Sequence, residues 1–191
     1  MSTEEIRSPA ISVVVPAFNT AECLQRCLEA VFSSNHHSYE CIVVDDGSND
    51  DSASIAARAG ARVVRISEGP LGPAYARNRG AEAARGAIVF FVDADVVLAP
   101  AALDRVVNIF REQADLAAVF GSYDALPAAR GLISQYRNLL HHFVHQNGNT
   151  EASTFWAGCG AVRRSLFAEV GGFDERRFSR PSIEDMELGY R

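Results

Sequence analysis

The chain has 191 residues, enough for one α/β domain with a substantial core and short of what two such domains need. Hydrophobic residues make up 48% and charged residues 22%, a balance that excludes a disordered chain. The formal net charge of −6 excludes a broad basic footprint, so nucleic acid is not an expected partner, and any anionic ligand must be held by a local device such as a metal ion or a few arginines.

All 18 basic residues are arginine, which removes lysine Schiff-base chemistry and the Walker-type phosphate lysine. Cys23, Cys27, Cys41 and Cys159 form neither a Cys-x-x-Cys pair nor a secreted disulfide framework, so reduced, cytosolic thiols are expected. Cys23 and Cys27 fall on one helical face, but no partner at zinc-ligand spacing accompanies them. No apolar run approaches the ~18 residues needed to cross a bilayer, and Met1 to Pro9 is polar and acidic, unlike a signal peptide. A soluble, cytoplasmic chain is the expectation. Arg191 falls inside an apparent helix without a Gly or Pro stop, so the natural protein is expected to continue, and any association with the inner face of a membrane would lie in that further segment.

In chain order, Ile11 to Val15 is a β-branched strand ended by Pro16, and Asn19 with Glu22 forms a capping-box pattern opening a helix whose buried stripe is Leu24, Leu28, Val31 and Phe32. Cys41 to Val44 is a second strand, with Asp45-Asp46-Gly47-Ser48 at its carboxyl end. An Ala-rich helix from about Ser52 to Ala59 and a strand from Arg62 to Ile66 follow. After the loop Ser67 to Gly72, Pro73 takes a first-turn helix position, and Ala74 to Arg85 reads as a helix closed by Gly86. Ile88 to Val92 is continuously apolar, the pattern of a strand buried on both faces of a mainly parallel sheet, and Asp93-Ala94-Asp95 ends it. A helix from Pro100 to about Gln113 and a strand from Ala117 to Tyr123 complete a doubly wound half. The remainder is less regular: an amphipathic helix from about Leu132 to Gln146, a Gly-rich segment from Trp156 to Ala161 and a short helix before Gly171-Gly172.

Ligands of open α/β sheets bind outside the carboxyl ends of the strands, and the polar clusters Pro16 to Asn19, Asp45-Asp46 and Asp93 to Asp95 fall at those ends. Two aspartates one residue apart after a buried strand can present carboxylate oxygens to Mg²⁺ or Mn²⁺, which such sites share with substrate phosphates and water; Asp95 is the first-choice ligand and Asp93 the second. Taken alone, the Asp-Ala-Asp motif would equally well solvate a strand end and cap the next helix.

Six blocks stand in order: Val13 to Asn19, Val44 to Asp50, Gly72 to Gly80, Phe91 to Asp95, Gly171 to Glu175 and Glu184 to Arg191. Together they resemble the family 2 inverting glycosyltransferases of GT-A fold. The resemblance implies a three-layer α/β/α sandwich with a mainly parallel central sheet, forming one catalytic domain over residues 1–191. Residues 1–124 would be its nucleotide-sugar-binding half and residues 125–191 its acceptor-side half.

By the same resemblance, Pro16, Ala17, Phe18 and Asn19 would frame the nucleoside and Asp46 would hydrogen-bond its base, while Asp93, Ala94 and Asp95 would manage ribose, diphosphate and cation. These roles suit the side chains: a carboxylate accepts from a base imide N–H, and an aromatic ring packs against a base. Pro16 ending a strand and Phe18 filling the core are the plain structural readings. Arg77 offers a charge-assisted hydrogen bond to a diphosphate, and Asn78 fixes a loop or a ribose. Arg79 and Arg85 read as solvated surface residues.

The family's acid pair maps to Glu184-Asp185. An inverting transfer needs one base to take the acceptor hydroxyl proton, a role that falls to Asp185, with Glu184 positioning the acceptor or orienting its neighbour. On spacing alone, the first turn of a helix capped by Ser182 is the stronger reading of both, and the resemblance reverses that order. Trp156 and Gly158 resemble the family's acceptor-side segment, where a ring stacks on a sugar and a glycine admits close approach. His141, His142 and His145 have a short spacing compatible with metal, against the plainer reading of a polar helical face.

The function implied is transfer of a sugar from a nucleoside diphosphate donor, a UDP-sugar in the first instance, to a carbohydrate or lipid-linked hydroxyl, with a place in cell-envelope polysaccharide synthesis. Three other readings rank below it. A sugar-phosphate nucleotidyltransferase would carry a Gly-rich loop and a basic residue where Pro16 to Asn19 stand. An aspartate-nucleophile phosphatase would carry its Asp-x-Asp near the chain start and use a later lysine. A truncated or inactive domain would bind nucleotide sugar without transfer.

Overall fold

The computed structural model describes residues 8–127, 130–148 and 154–191. Six strands form one sheet in the order β3-β2-β1-β4-β6-β5, with β1 Ile11–Ala17, β2 Tyr39–Asp45, β3 Arg62–Arg65, β4 Ile88–Val92, β5 Ala118–Phe120 and β6 Cys159–Arg163. The first four strands pair in parallel, placing Val13 of β1 between Cys41 of β2 and Phe90 of β4. Such pairing requires crossovers over the sheet faces, and α1 (Ala21–Phe32), α2 (Ser52–Ala59) and α3 (Pro73–Ala83) supply them. The remaining helices are α4 (Ala102–Glu112), α5 (Leu132–Asn147), α6 (Arg164–Glu169) and α7 (Glu184–Tyr190).

Strand side chains alternate between faces, and the two faces carry separate cores. Val13, Val15, Val43 and Phe90 point to one side, where they pack with Leu24, Leu28 and Val31 of α1 and with Leu103 and Phe110 of α4. Val14, Ile42, Val44 and Phe91 point to the other, against Ala74, Ala76 and Ala81 of α3 and against Phe155, Phe167, Phe173 and Leu188. Phe91 is fully buried, with the rings of Phe167 and Phe173 both centred 5.3 Å away. Burying a side chain of this size contributes roughly 1.5–3 kcal/mol, so both layers are held firmly to the sheet. The result is the expected three-layer α/β/α sandwich.

Four local expectations are corrected. The Gly-rich segment at Trp156 to Ala161 runs into β6, which pairs antiparallel with β4 on one side and β5 on the other. No capping box opens α1: Asn19 sits at φ +52° with its side-chain oxygen accepting from the Asn49 amide, Thr20 precedes the helix, and Asp50 accepts the Ala21 N–H at 2.9 Å. Pro16 does not end β1, whose pairing with β2 continues to Ala17 opposite Asp45. Ser182 does not cap α7 through its hydroxyl; Ile183 holds the cap position, and the Ser182 N–H donates to Glu184.

Candidate active site

The carboxyl ends of β1, β2 and β4 open into one cleft of about 900 Å³. Pro16, Ala17 and Phe18 line it from the end of β1, and Phe18 leaves 42% of its surface exposed, so the ring does not fill the core. Asp46, after β2, is buried. Its two carboxylate oxygens accept the backbone N–H groups of Leu71 at 2.8 Å and Gly72 at 2.7 Å. Asp46 thus fixes the loop ahead of α3 and still presents its remaining lone pairs at the cleft edge. Gly72 is required there: its φ is +100°, and a Cβ would collide with the Ser179 carbonyl.

The opposite wall is acidic. Asp93 and Asp95 project from the end of β4, Glu184 and Asp185 from the start of α7, and all four line the cleft. Arg77 of α3 is buried between them, donating from Nη2 to Asp93 at 2.8 Å and from Nη1 to Glu184 at 3.0 Å. Its guanidinium is therefore committed to two carboxylates, and Glu184, itself buried, also accepts from Ser182. Asp185 is half-buried; its carboxylate accepts from the Met186 N–H at 2.8 Å and lies 3.4 Å from the Ala157 nitrogen. Asp95 is exposed and makes no hydrogen bond or ion pair among the described residues. Burial, reinforced by the charges of Asp95 and Asp185, raises the Asp93 carboxyl above its ordinary range despite the opposing pull of Arg77.

Five carboxylates thus face the cleft against two guanidiniums, those of Arg77 and Arg180. This surplus suits a hard cation shared with a diphosphate. Among the described residues Asp95 has no partner on either carboxylate oxygen and Asp93 has none on Oδ2, so these oxygens would be the ones to hold such a cation. No group of three or more His, Cys, Asp or Glu side chains among the described residues is arranged to hold a metal by itself.

Asn19 and Asn78 do not line the cleft. Asn19 ties the first loop to Asn49, while buried Asn78 donates to the Phe173 carbonyl and to Glu175 and accepts the Phe173 N–H, locking the Gly171 to Glu175 turn. Gly158 lies against the acids: a Cβ there would stand 3.1 Å from both Asp93 Oδ2 and the Trp156 ring. Arg79 is half-buried over the Tyr75 ring with Glu82 and Glu175, whereas Arg85 is exposed and pairs with Glu40.

Among the described residues the α5 histidines form no metal cluster; they share the polar face of the helix, with His141 exposed and His142 and His145 half-buried. His141 stacks on Tyr123 at 5.3 Å, Tyr123 stacks on Trp156 at 5.3 Å, and His145 meets Trp156 edge-on. Trp156 lines the cleft, so the ring column abuts the cleft wall, and burial first, then the Asp95 and Asp93 charges, raise the Tyr123 phenol above its ordinary range. Sequence reasoning missed Tyr123 in this role and also the cleft residues Thr20, Cys23, Pro70 and Ser179 to Pro181. For Ser179 to Pro181 the one available signal was adjacency to the acid pair. All four cysteines are free, and burial pushes the Cys27 thiol up to about 12, so it stays protonated.

The sequence pattern of glycosyl transferase family 2 matches residues 12–171. Glycosyltransferase AglE of Haloferax volcanii is 39% identical over 93 residues, covering 46% of this chain and 31% of AglE. Among solved structures, mannosyltransferase PcManGT of Pyrobaculum calidifontis, in complex with GDP-Man and Mn²⁺, superposes with a TM-score of 0.72 at 23% identity, over 96% of this chain and 51% of that one. Glucosyl-3-phosphoglycerate synthase of Mycobacterium tuberculosis, in complex with Mn²⁺, UDP and glucosyl-3-phosphoglycerate, gives 0.59 at 25% identity, over 83% and 58%. The chain spans about a third of the length of the curated relatives it matches.

Proposed function

We propose, from the premise that the chain belongs to glycosyl transferase family 2 and has the GT-A fold, that it carries the donor site and the base of an inverting, cation-assisted sugar transfer. One observation carries this reading: Asp185, a half-exposed carboxylate, shares a single cleft with Asp93, Asp95 and Asp46 although their positions are widely spaced in the chain. The donor is a nucleoside diphosphate sugar. UDP is the first choice, and the GDP-Man complex of the mannosyltransferase supports testing GDP beside it.

Pro16 and Phe18 would hold the nucleoside against the end of β1, with Asp46 at its edge. Mg²⁺ or Mn²⁺, held by Asp95 and Asp93, would supply charge stabilisation to the leaving diphosphate. Arg77 serves from behind: by neutralising Glu184 and one Asp93 oxygen, it keeps the acid wall assembled while no guanidinium pairs with Asp95 or Asp185 among the described residues. Asp185 takes the proton of the acceptor hydroxyl as that oxygen bonds to the anomeric carbon. The bond from that carbon to the diphosphate oxygen breaks on the opposite face, and the diphosphate departs with the electron pair. Trp156, beside Asp185 on the cleft wall, is positioned to stack on the acceptor.

The test is a thermal-shift titration of the full chain with UDP and GDP, with and without Mn²⁺, because a ligand that binds only the native state raises Tm. Cation-dependent stabilisation is expected. Asp95→Asn should remove most of it while leaving the melting of the free protein unchanged. A wild-type protein indifferent to both nucleotides would overturn the donor site, and an undiminished shift in Asp95→Asn would remove Asp95 as a ligand.

A further inference from the structure

We propose that α5 is an interfacial helix that docks this domain on an anionic lipid surface. At 100° per residue, Leu132, Ile133, Tyr136, Leu140, Phe143 and Val144 fall within one arc of about 120°. Asn138, His141, His142 and His145 fall opposite. A helix of a globular domain turns its apolar arc inward, and this one is reversed.

Its polar arc faces the protein: Asn138 donates to the Asp124 carbonyl, His142 Nδ1 lies 2.6 Å from the Tyr123 carbonyl oxygen, and the His141 and His145 rings pack on Tyr123 and Trp156. The apolar arc faces outward, with Leu132 85%, Ile133 74% and Phe143 63% exposed, and no residue of α5 is buried. Such a contiguous apolar strip needs an occupant, because scattered exposed hydrophobics are ordinary but an aligned row of them is not.

Charge selects the occupant. The chain carries a net charge of −6, yet residues 125–148 contain no Asp or Glu; exposed Arg137 borders one edge of the apolar arc, exposed Arg130 precedes the helix, and the other edge carries uncharged Gln135 and Gln146. An apolar strip with an arginine at its edge and no acid in its segment, on an otherwise acidic molecule, matches hydrocarbon beneath anionic headgroups. A second copy of the chain fits poorly. A two-fold contact would set Arg137 near its own counterpart with no acid in the segment to offset it. A 16-residue helix is also only about 24 Å long, and one apolar arc of that length falls well below the ~800 Å² per partner of a stable dimer. The inward rings give the placement a consequence, since Tyr123 joins His141 of α5 to Trp156 on the cleft wall and so holds the cleft next to the docked surface.

The experiment is co-sedimentation of the full chain with phosphatidylcholine vesicles, with and without about a third phosphatidylglycerol, without nucleotide, so that its outcome is separate from that of the donor-site titration. The wild type should pellet with the anionic vesicles, less with the neutral ones, and less again as salt is raised. The double variant Ile133→Glu/Phe143→Glu, both exposed positions, should keep the wild-type circular dichroism spectrum and lose at least tenfold in vesicle affinity. The proposal is overturned if the wild type stays in the supernatant with anionic vesicles, or if the double variant pellets equally. It is also overturned if size-exclusion chromatography shows a wild-type dimer that the variant abolishes, which would make a second copy the occupant.

Discussion

The two ends of the sheet use the same kinds of side chain to opposite effect. At the amino end, Ser12 at the start of β1 accepts the Gly86 N–H and donates to Glu40 at the start of β2, and Glu40 accepts in turn from the amide and guanidinium of Arg85. Donors and acceptors there are matched, with Ser12 buried and Arg85 exposed at the rim. At the carboxyl end, five carboxylates meet two guanidiniums around an open cleft, and Asp95 has no protein partner among the described residues. A buried acid with its partners in place reports on folding; an acid left over, beside others, reports on a ligand. The contrast also divides the carboxyl end itself: Asp46 and Glu184 are buried in internal bonds, Asp185 accepts two backbone N–H groups yet stays half-exposed, and Asp95 has no partner among the described residues.

The largest effect should come from the half-exposed base. Asp185→Asn keeps the shape and the acceptor oxygen but removes the proton acceptor, so transfer by the full-length protein should fall about 10²- to 10⁴-fold while nucleotide affinity and melting temperature hold. Unchanged turnover would break the link between surplus charge and chemistry. Next comes Arg77→Ala, which leaves Asp93 and buried Glu184 without their shared cation. Stripping a buried ion pair of one partner costs about 3–5 kcal/mol, measurable by urea denaturation. A loss below about 1 kcal/mol would show that the acid wall assembles without Arg77, making that residue free for a phosphate.

These two residues also mark how far the sequence could be read. β1 and β4 were legible because Val13 to Val15 and Ile88 to Val92 are apolar runs buried on both faces, a local signal of a parallel sheet. The convergence of Asp46, Asp93 and Asp95 on one cleft follows from that topology, whereas Asp185, at the start of α7 on the same cleft, was legible only through the family resemblance. β6 was not legible: Cys159-Gly160-Ala161 has weak strand propensity, and its stability comes from antiparallel partners in β4 and β5 that lie far off in sequence. Arg77 read as a phosphate ligand for a similar reason, since nothing local reveals a carboxylate 107 positions away that claims its guanidinium. The capping box failed when a distant acid, Asp50, supplied the acceptor that Asn19 was expected to provide. For α5 the periodicity was clear and the orientation was not, because a hydrophobic stripe shows which residues share a face and not whether that face turns inward.

The smallest effect belongs to the matched end and sharpens the contrast from the other side. Burial works against the Glu40 carboxylate, but the Ser12 hydroxyl, the Arg85 amide and the Arg85 guanidinium together hold it below the usual glutamate range. A carboxyl depressed in the folded state contributes stability that is fully present above its unfolded pKa, about 4.3, and is lost as pH falls through the lower folded value. Glu40→Gln should therefore lower stability at neutral pH by about 1 kcal/mol, the scale of a net hydrogen bond, and should flatten the acid limb of the stability curve. Nucleotide binding should not change, because Glu40 lies at the far end of the strands from the cleft. Urea midpoints measured from neutral to acidic pH decide it: parallel curves for wild type and variant would mean that Glu40 carries no such proton linkage, and a loss of nucleotide affinity in the variant would mean that the two ends of the sheet are not independent.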